Sequence, residues 1–278
     1  MGSRLSAEQV RAYREQGFLI IDEHLFPPEK FAAFKERFEM HLRVWEEVMG
    51  APVEGIDRAH FIDPELNKWL LADEVLDLVE PLIGPDIALF ASSCLNKLAT
   101  VGKRIPWHED GSYWKPLAEN RIEAATVWLA IDASTTENGC MRVIPGSHHQ
   151  RDREHEQVDD VSAVLLKKAV REDLFDESTA VDCVLEPNDC SIHDAYLIHG
   201  SGATQKQARR CGYQMRYMPT TVKSSDYRGH QVYLARGVDH AGNEYADPTA
   251  VNETWLRDNP KIQRIAQLCS ESEAGLHA

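Results

Sequence analysis

The chain has 278 residues, 43% of them apolar and 27% charged, an ordinary globular balance with enough length to bury one large core. Its net charge of -15 opposes docking on a phosphate backbone, so nucleic acid is not an expected partner. No apolar run approaches the roughly 18–20 residues of a membrane helix, and the opening MGSRLSAEQVRAYREQG holds no apolar export core. The cysteines at 94, 140, 183, 190, 211 and 269 are scattered without a CxxC pair, which reads as reduced thiols in a cytoplasmic protein.

The predicted elements begin with a helix opened by Ser6, with Gln9 three residues on, and stopped by Gly17. The run Phe18–Ile21 follows as a strand. After Pro27 and Pro28, the residues Phe31, Phe34, Phe38, Leu42, Trp45 and Val48 recur by threes and fours, one face of an amphipathic helix. Leu66, Trp69, Leu70, Leu76, Val79 and Leu82 repeat the pattern after Pro64, ending at Gly84-Pro85. From residue 87 short apolar or alternating runs take over: 87–95, 124–132, 140–144, 181–185, 190–193, 195–199, 210–218 and 231–236. Helices first and strands later predict one α+β domain over residues 1–278. Its expected core, about 87–240, is a double-stranded β-helix (a cupin-like jelly roll) buttressed by the helical part, about 1–86, and followed by a C-terminal extension. The long polar excursion 148–180 interrupts the strands, either as a plain surface excursion or as a lid.

The chemistry concentrates in Asn96–Trp114. His108 and Asp110 stand two apart, so an extended segment projects both to one face, as adjacent ligands of one metal require. Two histidines and a carboxylate leave three positions open, the arrangement of non-haem iron(II) oxygenases. HxD alone is common, so a distal histidine is needed. His199 closes the apolar run from Ala195 and opens the turn Gly200-Ser201-Gly202, a strand-end position suited to a ligand. His193 lies inside a strand-like run, where a packed or supporting role is expected, and His148 and His149 open the polar excursion. A hairpin from 195–199 to 210–218 would return Arg210 beside His199, where its planar fork suits a carboxylate. Arg209 is the neighbouring alternative, pointing to the opposite face.

The blocks PWHEDGSYW (106–114), TVWLAID (126–132), NGCMRVIPGSH (138–148) and IHGSGAT…ARR (198–210) resemble, in order, the phytanoyl-CoA dioxygenase-like family of iron(II)/2-oxoglutarate oxygenases. The resemblance spans roughly residues 15–220 and implies iron(II) held by His108, Asp110 and His199, with 2-oxoglutarate and O2 as co-substrates. It implies that Arg210 pairs with the distal carboxylate of 2-oxoglutarate, with contacts from Ser201, Trp128, Ser93 and Lys97. Glu109 stands where the family often has Gln. Related halogenases carry a small residue where this chain has Asp110, so the resemblance implies hydroxylation of a C–H bond. Trp107, Tyr113 and Trp114, with Lys97, Lys103 and Arg104 nearby, suit a small zwitterionic substrate such as an aminoalkylphosphonate or an amino acid derivative. An acyl-CoA is the alternative substrate, and a cupin-like metal protein without oxygenase activity is the alternative class. The oligomeric state is not legible.

Overall fold

A computed structural model describes residues 4–99, 102–160, 164–205, 208–257 and 259–276, with the side chains of 273–276 left out. In helix α1, Ala7–Gln16, the Ser6 side chain accepts the N–H of Gln9 while Gln9 Oε1 accepts that of Ser6. Gly17 ends the helix at φ 82°, a left-handed cap that a side chain would strain. Strand β1, Phe18–Ile21, follows at once. Helix α2, Pro28–Met49, buries Phe34, Phe38, Leu42 and Trp45 as the spacing predicts. Strand β2 is Gly55–Asp57. The second predicted helix is broken: a single 3-10 turn precedes α3, Asn67–Leu70, and α4, Asp73–Ile83, starts afresh after Ala72 turns extended. Asp73 and Glu74 favour the new N-terminus by opposing its dipole.

The remaining strands are β3 (Ile87–Lys97), β4 (Ile105–His108), β5 (Ala125–Ala130), β6 (Met141–Val143), β7 (His155–Gln157), β8 (Lys168–Val170), β9 (Val181–Cys183), β10 (Cys190–Asp194), β11 (His199–Ser201), β12 (Arg210–Pro219) and β13 (Tyr233–Arg236). A short helix α5, Asp110–Trp114, follows β4, and α6, Glu253–Arg257, and α7, Pro260–Leu276, close the chain. A seven-stranded sheet runs β1-β10-β5-β12-β3-β13 with β2 also on β3, and a four-stranded sheet runs β4-β11-β6-β9. Every ladder in both is antiparallel.

The period of two along β12 divides its neighbourhood. Cys211, Tyr213, Met215 and Tyr217 join the large core shared with the helices, where Phe34 meets the Tyr213 ring edge-on at 5.1 Å. Arg210, Gly212, Gln214 and Arg216 take the opposite face. In α7, Ile262, Ile265 and Cys269 belong to the same core as α2, so the C-terminal extension is a helical brace that the sequence reading did not anticipate.

Three expectations change. Residues 195–198 form a turn, not a strand, and β11 begins only at His199. The predicted hairpin is absent: β11 pairs with β4 and β6, whereas β12 pairs with β3 and β5, so the chain crosses from one sheet to the other between Ser201 and Arg210. The 148–180 excursion carries a hairpin of its own, β7 with β8; its residues 161–163, like Thr100 and Val101 of the metal segment, lie outside the described residues.

Candidate metal centre

His108 ends β4, Asp110 opens α5, and His199 opens β11, which pairs His199 directly with His108. The two-residue spacing works by another route than an extended run: Glu109 is extended, and the helix starting at Asp110 turns its carboxylate back toward His108. One ligand atom from each of His108, Asp110 and His199 lies within 4.8 Å of the others, and all three residues are buried. Asp110 Oδ1 is 3.5 Å from His108 Nε2 and 4.0 Å from His199 Nε2.

The backbone sets the tautomers. His108 Nδ1 lies 2.9 Å from the carbonyl of Pro106, and His199 Nδ1 lies 2.9 Å from that of Leu197. A carbonyl only accepts, so each Nδ1 carries the proton and each Nε2 lone pair is free for a metal. Burial, with His108 and His193 adjacent, pushes the His199 pKa well below its usual value and keeps the ring neutral. Burial opposes ionisation of Asp110, but the close approach of the His108 and His193 rings and the charge of Arg216 hold its carboxyl well below the usual range. Two neutral imidazoles and a carboxylate fit a divalent first-row ion.

A cavity of about 120 Å³ adjoins this cluster, walled by His108, Asp110, Trp128, Ser201, Arg210 and Arg216 and by the apolar Leu95, Ile105, Met141, Leu165 and Leu166. Arg210 is 1% exposed, and none of its three guanidinium nitrogens has a partner among the described residues. Its charge lies 5.2 Å over the Trp128 ring, and burial lowers its pKa to about 10. Ser201 Oγ in the same wall is also unpartnered. A buried guanidinium without a counter-charge is costly, and an oxyanion placed there would meet donors it otherwise lacks. Arg209 is spent elsewhere, on Asp132 at 2.7 Å and on Glu39. Gly212 is needed here, since a Cβ would sit 2.0 Å from the Trp128 ring.

The other predicted residues scatter. Lys97 pairs in register with Arg210, and its Nζ donates to the Gly202 carbonyl. Burial, with Arg210 adjacent, lowers its pKa to about 7. Ser93 Oγ donates to Gln214 and accepts from Arg216 Nη1 at 2.9 Å. Trp107 faces away from the cavity, against Phe175 at 5.5 Å and beneath the Arg142 guanidinium. Trp114 packs on Phe90, and the Arg216 guanidinium covers its ring at 5.2 Å, leaving that face no room for a substrate cation. Tyr113 stands edge-on to His108 and donates to the Lys168 carbonyl. Lys103 answers Glu54 at 2.6 Å.

Arg216 and Gln214 went unread in the sequence, although they lie six and four residues beyond Arg210, on one strand face by the period of two. Arg216 Nε is 3.8 Å from Asp110 Oδ2, and His193 Nε2 stands at the same distance from that oxygen, so both support the carboxylate from behind. The polar excursion supplies the roof through Leu165 and Leu166. Glu109 turns away from the metal cluster into Arg153 of that excursion, Oε1 to Nη1 2.9 Å.

A family model described as phytanoyl-CoA dioxygenase (PhyH) matches residues 13–211. Over 276 residues the chain is 27% identical to the peroxisomal phytanoyl-CoA dioxygenase of Mus musculus, covering 91% of this chain and 81% of that protein. It is 28% identical over 158 residues to an ectoine dioxygenase of Bordetella bronchiseptica, covering 52% of this chain and 50% of the relative. In fold it is similar to the non-heme monooxygenase ThoJ, with a TM-score of 0.71 at 22% identity, covering 95% of this chain and 99% of that one.

Proposed function

The chain belongs to the phytanoyl-CoA dioxygenase family and is a 2-oxoglutarate-dependent non-haem iron dioxygenase; from that premise we propose that it hydroxylates a C–H bond of a small organic substrate at the His108, Asp110, His199 centre. The observation that carries the reading is Arg210, buried and unpartnered in the wall of the cavity that holds the metal-binding cluster. In this reading residues 1–278 act as one domain, and the two antiparallel sheets form a jelly roll with the site between them.

Bound iron(II), with 2-oxoglutarate and O2, supplies the oxidising chemistry that converts a C–H bond to C–OH while 2-oxoglutarate becomes succinate and CO2. The chain's own residues position and shield. His108 and His199 present Nε2 because their Nδ1 protons are committed to carbonyls. Asp110 supplies one carboxylate oxygen, with the other backed by Arg216 and His193. Arg210 and Ser201 hold the distal carboxylate of 2-oxoglutarate, with Trp128 as the floor under the guanidinium and Lys97 and Ser93 bracing the wall. Leu165 and Leu166 give the cavity an apolar wall that would exclude water from the centre.

The cavity volume supports a small substrate over a bulky one. Tyr113, Trp107 and Trp114 act as supports around it, and a zwitterion would find its anion partner in Arg216. A second reading, an acyl-CoA substrate, is favoured by the mouse relative's coverage of 91% of the chain. Among the described residues no helix is long and apolar enough to cross a membrane, and the six cysteines are buried free thiols, as a reducing compartment such as the cytoplasm favours. The test is succinate release under iron(II) and ascorbate, screened across small zwitterions and acyl-CoAs. Substrate-stimulated succinate supports the reading. No release with any candidate, together with 2-oxoglutarate binding indifferent to Arg210→Ala, would refute it.

A further inference from the structure

The block Pro145-Gly146-Ser147-His148, and the histidine after it, take no part in the metal centre. The rings of His148 and His149 lie 4.1 Å apart, and their Nε2 atoms each stand 3.1 Å from a carbonyl at the end of α1, those of Arg14 and Glu15. Beside them opens a second cavity of about 480 Å³, four times the volume of the metal cavity and sharing no lining residue with it. Tyr13, Arg14, Arg121 and Arg151 line it, with Glu123 and Asp194.

The arginines here form no ion pair among the described residues. Arg37, Arg209 and Arg236 are each ion-paired at 2.5–2.6 Å. Arg14, Arg121 and Arg151 have no carboxylate within ion-pair distance among the described residues; Arg151 only lies over the Tyr196 ring at 5.1 Å. Asp194 is engaged with the N–H of Tyr196 at 2.8 Å. Three arginines against the carboxylates of Glu123 and Asp194 leave the lining one positive charge in excess, the histidines aside, on a chain whose total is -15. One donor of its wall is buried and unsatisfied, the hydroxyl of Tyr13, a residue 6% exposed. Buried polar groups are rarely left so without a water, ion or ligand to complete them.

We propose that this cleft is a second ligand site, separate from the metal centre, that binds a small multiply charged oxyanion of the phosphate class through Arg14, Arg121, Arg151 and the Tyr13 hydroxyl. Guanidinium forks match the spacing of phosphate oxygens and bind them in pairs, and the hydroxyl donates a further hydrogen bond. The ligand is an effector and not a substrate, because no lining residue reaches the metal cavity. The cleft still adjoins that centre along the chain: Asp194 follows His193, and Ser147 Oγ accepts the N–H of Ile198, the residue before His199.

The test is calorimetric titration of the full chain with inorganic phosphate at constant ionic strength. Wild type should show one saturable site, weakened roughly tenfold or more in Arg121→Ala/Arg151→Ala, and unchanged in Arg210→Ala. Tyr13→Phe should weaken it without changing the thermal midpoint by more than the removal of one hydroxyl explains. Should the double variant fail to fold, exposed Arg121→Ala alone carries the comparison. Absence of saturable binding in wild type overturns the proposal. So does binding lost in Arg210→Ala and kept in the double variant, since the phosphate would then sit at the metal centre. Acetate competing as well as phosphate would also overturn it, reducing the cleft to a patch of diffuse positive charge.

Discussion

Replacing Arg153 with Met should cost the fold about 3–5 kcal/mol, the usual loss when one partner of a buried ion pair is removed. The size follows from the surroundings of Glu109, whose side chain is fully buried between two candidate metal ligands while that of Arg153 is 6% exposed. Oε1 faces Arg153 Nη1 at 2.9 Å, and Oε2 accepts from the Arg153 N–H at 3.1 Å and from Ser112 Oγ at 3.3 Å. Truncation leaves the carboxylate its two neutral donors but no counter-charge. Arg153 Nη1 also donates to the carbonyls of Ser147 and Gln150, and those acceptors lose their partner as well. Glu109→Gln is milder, about 1–3 kcal/mol, because an amide still accepts one bond and Arg153 keeps both carbonyls.

Thermal unfolding reads this directly. At roughly 2–4 °C per kcal/mol for a domain of this size, Arg153→Met should lower the midpoint by about 6–20 °C. Glu109→Gln/Arg153→Met removes both charges, so its loss should fall well short of the sum of the two singles. Arg153 also begins the segment that carries Leu165 and Leu166 over the cavity. Any Arg153→Met protein that folds should therefore release more succinate without product. A loss under about 1 kcal/mol, or strictly additive singles, would mean that the pair is solvated and does not clamp the roof.

Arg210→Ala should raise the KM for 2-oxoglutarate by the roughly 2–5 kcal/mol of a desolvated charge pair, whereas Arg209→Ala should lower the thermal midpoint and leave that KM near wild type; equal KM increases would contradict the assignment. His199→Ala should abolish stoichiometric iron in metal analysis, while His193→Ala should retain it, and the reverse pattern would transfer the ligand role to His193. Gly212→Ala should displace Trp128 and raise the KM for 2-oxoglutarate, a result checked by steady-state rates and by tryptophan fluorescence. Burial pushes the Asp63 pKa up, but His41 at 2.6 Å and Arg37 outweigh it and bring the carboxyl down to about 2. Its contribution, about 2 kcal/mol, is therefore full above pH 4 and lost as pH falls toward 2, and acid unfolding of Asp63→Asn should lack that component.

The readable and unreadable parts of this molecule divide along the range of the forces involved. Phe34, Phe38, Leu42 and Trp45 announce α2 because amphipathic periodicity is local. By the same rule Ile262, Ile265 and Cys269 announce α7, a periodicity that the expected C-terminal extension left unassigned. The run 195–198 was misread because apolarity reports burial and not extension: Ala195, Leu197 and Ile198 are buried in a turn. Strand pairing is set by partners a hundred residues away, so the hairpin through His199 and Arg210 could not be checked from within that segment. Arg210 nonetheless reaches the cavity, because the chain crosses between the sheets and β12 then presents every second residue to the interior. That alternation places Arg216 behind Asp110, and the same period along β4 directs Trp107 away from His108. Proximity in sequence instead suggested Trp107 and Trp114 as a substrate wall. Trp114 fails in that role because Arg216, 102 positions further along, already occupies its face, and only the folded sheets bring those two residues together.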